Sequence, residues 1–174
     1  ANAWDVEYDE ARDRLFVALV NGDLAVFDDY LEDFGAGGAD RTVRLVDTTG
    51  TKIAANLHGI AYRKETDQLV VSDVGALTTA AQGAAFNTDG ALFVIDQVST
   101  ASGDVQPSRH IAGPSTWLGN PVDLVLDGLD VRVAEKANDR MLVWRNVFSG
   151  ESGDIAPDYA ELVLKPESIA AAPT

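Results

Sequence analysis

The stretch "NPVDLVLDGLDVRVAEKANDRMLVWRN", residues 120–146, decides how this chain folds. Apolar and polar residues alternate through three short runs, which Asp127-Gly128 and Asn138-Asp139-Arg140 separate. Period-two alternation is typical of a strand with one buried face, and Asp-Gly and Asn-Asp pairs are typical of tight turns. The stretch therefore predicts three antiparallel strands joined by short turns.

The same pattern of three alternating runs separated by turns occurs twice earlier in the chain. One copy is "AWDVEYDEARDRLFVALVNGDLAVFDD" (3–29), and the other combines "LHGIAYRKETDQLVVSDV" (57–74) with "DGALFVIDQ" (89–97). The second strand of each unit is the most apolar, so we expect Phe16, Val17, Val71 and Val133 to be buried. The chain is thus a repeat protein with three units.

A fourth element follows each third strand. "SGDVQPSRHIAG" (102–113) matches "SGDIAPDYAELV" (152–163), and "GGADRTVRLVD" (37–47) is a fainter copy. Repeating four-stranded meanders of about 45 to 60 residues are the blades of a β-propeller.

The predicted fold class is therefore all-β, a β-propeller segment with four-stranded antiparallel blades. We place the blades at approximately 1–50, 51–113 and 114–165. Because Pro166 repeats the position of Pro121, residues 166–174 are expected to begin the first strand of a fourth blade.

The third unit resembles the NHL repeat, which runs Pro-x-Gly-hydrophobic-Ala-hydrophobic-Asp, then Ala-Asp, then Asn-Asn/Asp-Arg. The residues that carry the resemblance are Pro121, Val122, Asp123, Leu124, Asp127, Ala134, Glu135, Asn138, Asp139 and Arg140. The second unit keeps His58-Gly59-Ile60-Ala61 and Ser72-Asp73, and the first unit keeps little. The resemblance implies a propeller that serves as a binding platform, or a calcium-dependent lactonase or gluconolactonase-like hydrolase of the related six-bladed propellers.

One set of polar residues lies at the predicted start of each innermost strand. Asp5, Gly59 and Asp123 are equivalent, and His58 and Asn120 come just before this position. In a propeller these strand starts ring the central channel, and oxygen ligands suit Ca²⁺. Asp5, Asn120 and Asp123 are therefore candidate calcium ligands, although hydrogen-bonded polar residues at a channel mouth explain the same pattern.

A second set of residues is a candidate binding surface: His58, Asp73, Phe86, Trp117, Asp139 and Arg140. Phe86 lies in an insertion of about 13 residues within 75–89, and long loops on a regular scaffold are often functional. The alternative is structural, with Asn138 and Asp139 closing a turn and Arg140 pairing with a carboxylate such as Glu135.

Composition narrows the class of partner. Thirteen Lys and Arg against 28 Asp and Glu give a formal charge of -15, which repels nucleic acid and anionic lipid. There is no cysteine, no apolar run long enough to span a membrane, and no Gly-rich phosphate loop, Gly-x-Ser-x-Gly turn or His-Glu-x-x-His motif.

We therefore expect a binding module rather than an enzyme, whose partner is a protein or an extracellular polymer. A metal-dependent lactonase-like hydrolase and a structural subunit of an extracellular assembly remain alternatives. Three blades form only an arc, so we expect a homodimer, or a longer polypeptide, to complete the ring. The expected location is extracellular or periplasmic.

Overall fold

The computed structural model describes residues 2–34, 37–77 and 79–171. This part of the chain is built almost entirely of β-strands, with three short 3-10 turns at Ala80–Gln82, Ala84–Asn87 and Pro114–Thr116. The strands are β1 (Ala3–Asp9), β2 (Arg14–Leu19), β3 (Asp23–Phe27), β4 (Arg41–Leu45), β5 (Leu57–Arg63), β6 (Gln68–Asp73), β7 (Ala91–Asp96), β8 (Gly103–Val105), β9 (Arg109–Ala112), β10 (Pro121–Asp127), β11 (Asp130–Glu135), β12 (Arg140–Trp144) and β13 (Tyr159–Leu162).

The strands form three separate meanders. Strands β1-β2-β3-β4, β5-β6-β7-β9 and β10-β11-β12-β13 are each antiparallel and each follow the order of the chain. The predicted class, a partial propeller of four-stranded antiparallel blades, is confirmed, and we call the three sheets the first, second and third blades.

Short turns of predictable chemistry join the strands of each blade. Gly22, in the turn between β2 and β3, has a φ of 80°, and Asp139, between β11 and β12, has a φ of 56°. Positive φ is the region that Gly, Asn and Asp tolerate best, which is why these residues mark the hairpins in the sequence.

The apolar core lies between blades rather than within any one of them. Phe16 and Val26 of the first blade pack with Val71 and Phe93 of the second. The opposite face of the second blade packs against Val133, Leu142 and Trp144 of the third. The second blade is therefore covered on both faces, and the predicted burial of Phe16, Val17, Val71 and Val133 is confirmed.

The outer face of the first blade has no such cover in the described part of the chain. Val6 and Tyr8 lie on this face beside Val17 and Leu15 of β2, and they are 51% and 36% exposed. Tyr30 and Phe34 extend the apolar surface through edge-to-face ring contacts. We expect a second copy of the chain or a further blade to cover this face of the first blade. That partner stays a prediction.

Two features of the sheets were not predicted. The short strand β8 precedes β9 in the chain, yet it pairs in parallel with β4 and so ties the second unit to the edge of the first blade. Residues 166–171 do not form the expected first strand of a fourth blade, since no described strand pairs with them, and residues 172–174 of that range lie outside the described part of the chain. The backbone N–H of Ile169 in this segment nevertheless donates to Asp123 Oδ2 at 2.9 Å.

Among the described residues, no helix has the length and apolar character needed to cross a bilayer.

Replacing Val133 with Asp tests whether the interface between blades holds the fold together. Val133 is fully buried between the second and third blades, so an unpaired carboxylate there should lower the free energy of unfolding by about 3 kcal/mol or more. The matched control is Arg132→Ser in the same strand, on the exposed face. Urea denaturation should separate the two variants, and equal stabilities would contradict the packing.

Candidate functional site

The starts of the three innermost strands β1, β5 and β10 define one end of the propeller channel. An asparagine precedes each strand, and its backbone carbonyl accepts an N–H from the residue that follows the second strand. The three bonds are 3.0 Å each: Val20 N–H to Asn2, Val74 N–H to Asn56, and Lys136 N–H to Asn120. Asn2, Asn56 and Asn120 therefore occupy one repeated position, which we call the channel mouth.

Buried carboxylates hold two of these loops in place. Asp73 ends β6, is only 2% exposed, and accepts the backbone N–H groups of Ala55, Asn56 and Gly75. Glu135 ends β11, is fully buried, and accepts the N–H groups of Gly119, Asn120, Ala137 and Asn138. Burial raises the pKa of both carboxyls, and the backbone N–H groups oppose that shift. The structure thus places Asp73 inside the scaffold as an anchor, below the surface on which we expected it.

Asp5 connects the first strand of the first blade to that of the second, and Asp123 connects the first strand of the third blade to the segment after β13. Asp5 Oδ2 accepts the N–H of Ile60 in the second blade at 3.2 Å. Asp123 Oδ2 accepts the N–H of Ile169, which is equivalent to Ile60 by repeat position. Each aspartate also accepts the N–H of the residue that follows it, through Oδ1.

Gly59 replaces the aspartate in the second blade because the third blade approaches it too closely. A Cβ atom at this position would lie 2.6 Å from the backbone nitrogen of Leu124 and 2.7 Å from Cα of Asp123. The bridge between blades is made here by Ser72, whose Oγ accepts the Gly59 N–H and donates to the carbonyl of Pro121 at 2.8 Å.

A pocket of about 250 Å³ opens at the channel mouth between the three strand starts. Its polar and aromatic lining comes from all three blades and from the segment after β13: Trp4, Asn56, His58, Asn120, Lys136 and Glu167. The rings of Trp4 and His58 stack at 3.7 Å between centroids. A second cavity of about 200 Å³ adjoins it and brings in Asp5, Asp123 and Ser168.

Three polar atoms of this pocket are buried and lack a hydrogen-bond partner. They are Asn56 Oδ1, His58 Nδ1 and Asn120 Oδ1, and among the described residues only Asp89 contributes another such atom. An unpaired buried polar group costs about 1–3 kcal/mol, so native proteins satisfy nearly all of them. All three atoms belong to residues that line the channel-mouth pocket.

The charged side chains around the channel mouth are mostly acidic: Asp5, Asp123 and Glu167 against Lys136. Lys136 Nζ lies 2.6 Å from Glu167 Oε1, so the positive charge of the pocket is already paired. Burial lowers the pKa of His58 to about 4, which leaves the imidazole neutral at neutral pH. Burial raises the pKa of Asp5, and the nearby charge of Asp123 adds to that shift.

The predicted calcium ligands do not form a cation cage. The three predicted ligands are Asp5, Asn120 and Asp123. Both oxygens of Asp5 and of Asp123 already accept hydrogen bonds from backbone N–H groups. Ca²⁺ takes six to eight oxygens at about 2.3–2.6 Å and is usually held by several carboxylates. Among the described residues, no group of three or more His, Asp or Glu side chains is placed to hold a metal ion. This set of donor atoms therefore does not fit calcium.

The remaining candidate residues lie on a different part of the surface. The guanidinium of Arg140 sits 5.1 Å from the centre of the Trp117 ring, which is 43% exposed. Asn138 Nδ2 donates to the carbonyls of Asn87 and Trp117, so the insertion that carries Phe86 is held against the third blade. Arg140 does not pair with Glu135 as expected, because the backbone N–H groups occupy both Glu135 oxygens.

Asp139 lies in the turn before β12, where it accepts hydrogen bonds from the segment after β13. Its Oδ1 accepts the N–H of Lys165 at 2.9 Å, and its carbonyl accepts the N–H of Val163. His58 is thus the one member of the predicted binding surface that lines the channel-mouth pocket.

Sequence reasoning missed Asn56, Lys136 and Glu167 in the site. Asn56 was detectable, because an asparagine stands three residues before each of Asp5, Gly59 and Asp123. Lys136 and Glu167 are 31 residues apart in the sequence and meet only through the fold, so their pairing had no local signal.

No protein-family model and no curated protein sequence matches this chain. Among solved structures, the fold is similar to that of a proposed 6-phosphogluconolactonase from Bacteroides fragilis NCTC 9343, with a TM-score of 0.60 and 13% sequence identity. The similarity covers 94% of this chain and 40% of that protein, so the chain spans less than half of its length. At this identity the likeness shows the fold alone, a propeller-like one, and the NHL resemblance stays a prediction.

Glu7 provides a pH-dependent test of how the first two blades pack. Its side chain shares the inner face of the first blade with Phe16, where burial and the charge of Asp5 raise its pKa from 4.5 to about 7. The folded chain therefore keeps this proton to higher pH than the unfolded chain, so its contribution to stability is complete below pH 4.5 and is lost as the pH rises to about 7.

We expect Glu7→Gln to remove this part of the pH dependence. Between pH 4.5 and 7 the wild-type chain should lose free energy of unfolding relative to the variant, as measured by urea denaturation at several pH values. Glu10→Gln, which changes an exposed carboxyl in the following turn, is the control. Parallel pH profiles for wild type and Glu7→Gln would contradict a raised pKa at Glu7.

Proposed function

We propose that this chain is a ligand-binding propeller segment whose channel-mouth pocket receives a small polar molecule. The observation that carries the proposal is that three residues lining one cavity each hold a buried polar atom without a hydrogen-bond partner among the described residues: Asn56 Oδ1, His58 Nδ1 and Asn120 Oδ1. A bound molecule that hydrogen-bonds to them would offset their cost.

The way the pocket is built supports binding. Asp73 and Glu135 fix the backbone on either side of Asn56 and Asn120, so these amides stay in position without a ligand. A site held in its binding geometry loses less conformational entropy when the ligand arrives. Trp4 adds an exposed ring beside the polar groups, and aromatic residues often contribute strongly to binding.

The test is a screen of small polar fragments by ligand-observed NMR, followed by point variants. His58→Phe keeps a ring against Trp4 but removes Nδ1, and Asn120→Leu removes an amide of similar size. We expect both variants to weaken binding of the wild-type hits at least tenfold, while Trp117→Leu, which changes a side chain outside the pocket lining, leaves it unchanged. Hits that bind all four proteins equally would overturn the proposed site.

A lactonase-like hydrolase is the second candidate, and the structural likeness to the proposed 6-phosphogluconolactonase favours it. His58 is the histidine that lines the pocket, and its Nδ1 has no hydrogen-bond partner among the described residues. A pKa of about 4 makes it a weak base, which is why we place binding before hydrolysis.

Lactone hydrolysis can be measured directly with glucono-1,5-lactone. Water adds to the carbonyl carbon, the ring C–O bond breaks, and the acid product releases one proton at neutral pH. Proton release in a pH-stat faster than the uncatalysed rate, and lost in His58→Phe, would establish the hydrolase. Equal rates with and without the protein would exclude this activity toward that lactone.

A further inference from the structure

We infer that the outer edge of the third blade binds an extended segment of a partner protein that carries the sequence Ser-Gly-Asp followed by Val or Ile. The segment adds to β13 as a parallel strand. The inference is independent of the channel-mouth pocket, because β13 and β10 form opposite edges of the same sheet. It follows from two places where this chain already covers the outer edge of a blade with such a segment.

The first of these places is the outer edge of the first blade. Strand β8 pairs in parallel with β4, and Gly103 lies opposite Val43 in this ladder. The two carboxylate oxygens of Asp104 accept hydrogen bonds from the Arg44 guanidinium at 2.7 and 3.1 Å. A segment that belongs to the second unit of the repeat therefore closes the edge of β4.

The second place is the outer edge of the second blade. Gly153 forms a parallel bridge to β9. Its N–H donates to the carbonyl of His110 at 2.8 Å, and its carbonyl accepts the N–H of Ala112 at 3.1 Å. The carboxylate of Asp154 accepts the N–H and the hydroxyl of Ser115 at 2.7 and 2.9 Å. The same sequence, supplied by the third unit of the repeat, thus closes this edge.

Each residue of the shared sequence has a physical reason to be there. Gly103 and Gly153 have φ values of 69° and 129°, a region that residues with a side chain rarely adopt. The aspartate after each glycine accepts hydrogen bonds from the covered blade. The apolar residue that follows, Val105 or Ile155, packs against the core between blades. The edges of the first two blades therefore bind an extended segment with Gly, Asp and a branched apolar residue in this order.

The outer edge of the third blade has no such cover among the described residues. Strand β13 pairs with β12 alone, and all four of its residues are exposed. An open edge offers N–H and C=O groups that an extended segment of another chain can pair with. Both Ser-Gly-Asp segments of this chain are already used on β4 and β9, so a second copy in the same fold has none to offer. We therefore assign the edge to a different protein.

The repeat places the required backbone groups on β13. The matched sequences put Ala160 at the position of His110 and Leu162 at the position of Ala112. The glycine of the partner segment therefore lies opposite Glu161, donates to the carbonyl of Ala160 and accepts the N–H of Leu162.

Side chains at this edge suit the rest of the segment. Lys165 is exposed and repeats the position of Ser115, so a cation is available for the partner's aspartate, as Arg44 is in the first blade. Leu162 and Leu164 are 65% and 76% exposed and offer apolar surface to the Val or Ile. The third blade thus has backbone, charged and apolar groups for each part of the sequence.

The experiment uses a synthetic peptide, TASGDVQPS with blocked ends, which copies residues 100–108. It is titrated into the intact, isotope-labelled chain, and backbone amide signals are followed by NMR. We expect the amides of Ala160 and Leu162 to shift, and the Leu162 N–H to exchange more slowly with solvent when the peptide is bound. The same peptide with Ala in place of Gly should bind at least tenfold more weakly, because its backbone would be strained at a positive φ.

Variants of the chain tie the binding to this edge. Leu162→Pro removes the N–H that the peptide uses, and proline is tolerated on edge strands, so affinity should fall at least tenfold. Leu162→Val keeps the N–H and is the matched control, with affinity expected within threefold of wild type. Lys165→Glu changes an exposed side chain outside the strand and should weaken binding at least threefold at low ionic strength. Urea denaturation checks that each variant is folded.

Every outcome supports or overturns the inference. Shifts on β4 or β9 in place of β13 would show that the peptide displaces the chain's own segments, and would overturn the choice of edge. Shifts on β13 that depend on protein concentration without peptide would make a second copy the occupant and overturn the different partner. Equal binding of the Ala peptide, or no binding at the highest soluble concentration, would overturn the sequence match. Binding at β13 stands even if no fragment binds the channel mouth, so this inference and the proposed function fail separately.

Discussion

Each blade of this protein must pack against a neighbouring blade, and the rest of the structure depends on that constraint. The second blade buries Val71 and Phe93 toward the first blade and Val70 and Val94 toward the third. A sheet with two apolar faces is stable only when both are covered, so the blades stack face to face around a common channel. The channel mouth exists because this stacking brings the starts of the innermost strands together.

Buried polar groups set the details of that stacking. Asp5 accepts an N–H from the first strand of the second blade and Asp123 accepts one from the segment after β13, whereas Gly59 has no side chain where the third blade leaves no room for one. Asp73 and Glu135 accept hydrogen bonds from backbone N–H groups of the loops before β5 and β10, which would otherwise be unsatisfied. Most of the residues that the sequence offered as candidate metal or ligand contacts therefore form hydrogen bonds within the propeller itself.

The candidate site is what this framework leaves unsatisfied. Asn56, His58 and Asn120 line the pocket, yet one buried polar atom of each has no hydrogen-bond partner among the described residues. Their neighbours are anchored, so the unsatisfied atoms cannot easily move to find other partners. We propose that a small polar ligand occupies the cavity that these residues line.

The sequence by itself determined the class of fold, the strands and the interior of the blades. Alternation depends on local backbone geometry, so Phe16 and Val133 could be assigned to the interior without a structure. Only the tertiary structure decided which polar residues are anchors and which are free. Asp73 and His58 both looked like surface candidates, but backbone N–H groups surround the first and an open cavity borders the second. The number of hydrogen-bond partners that a buried atom finds depends on chain segments distant in sequence, and no local pattern encodes it.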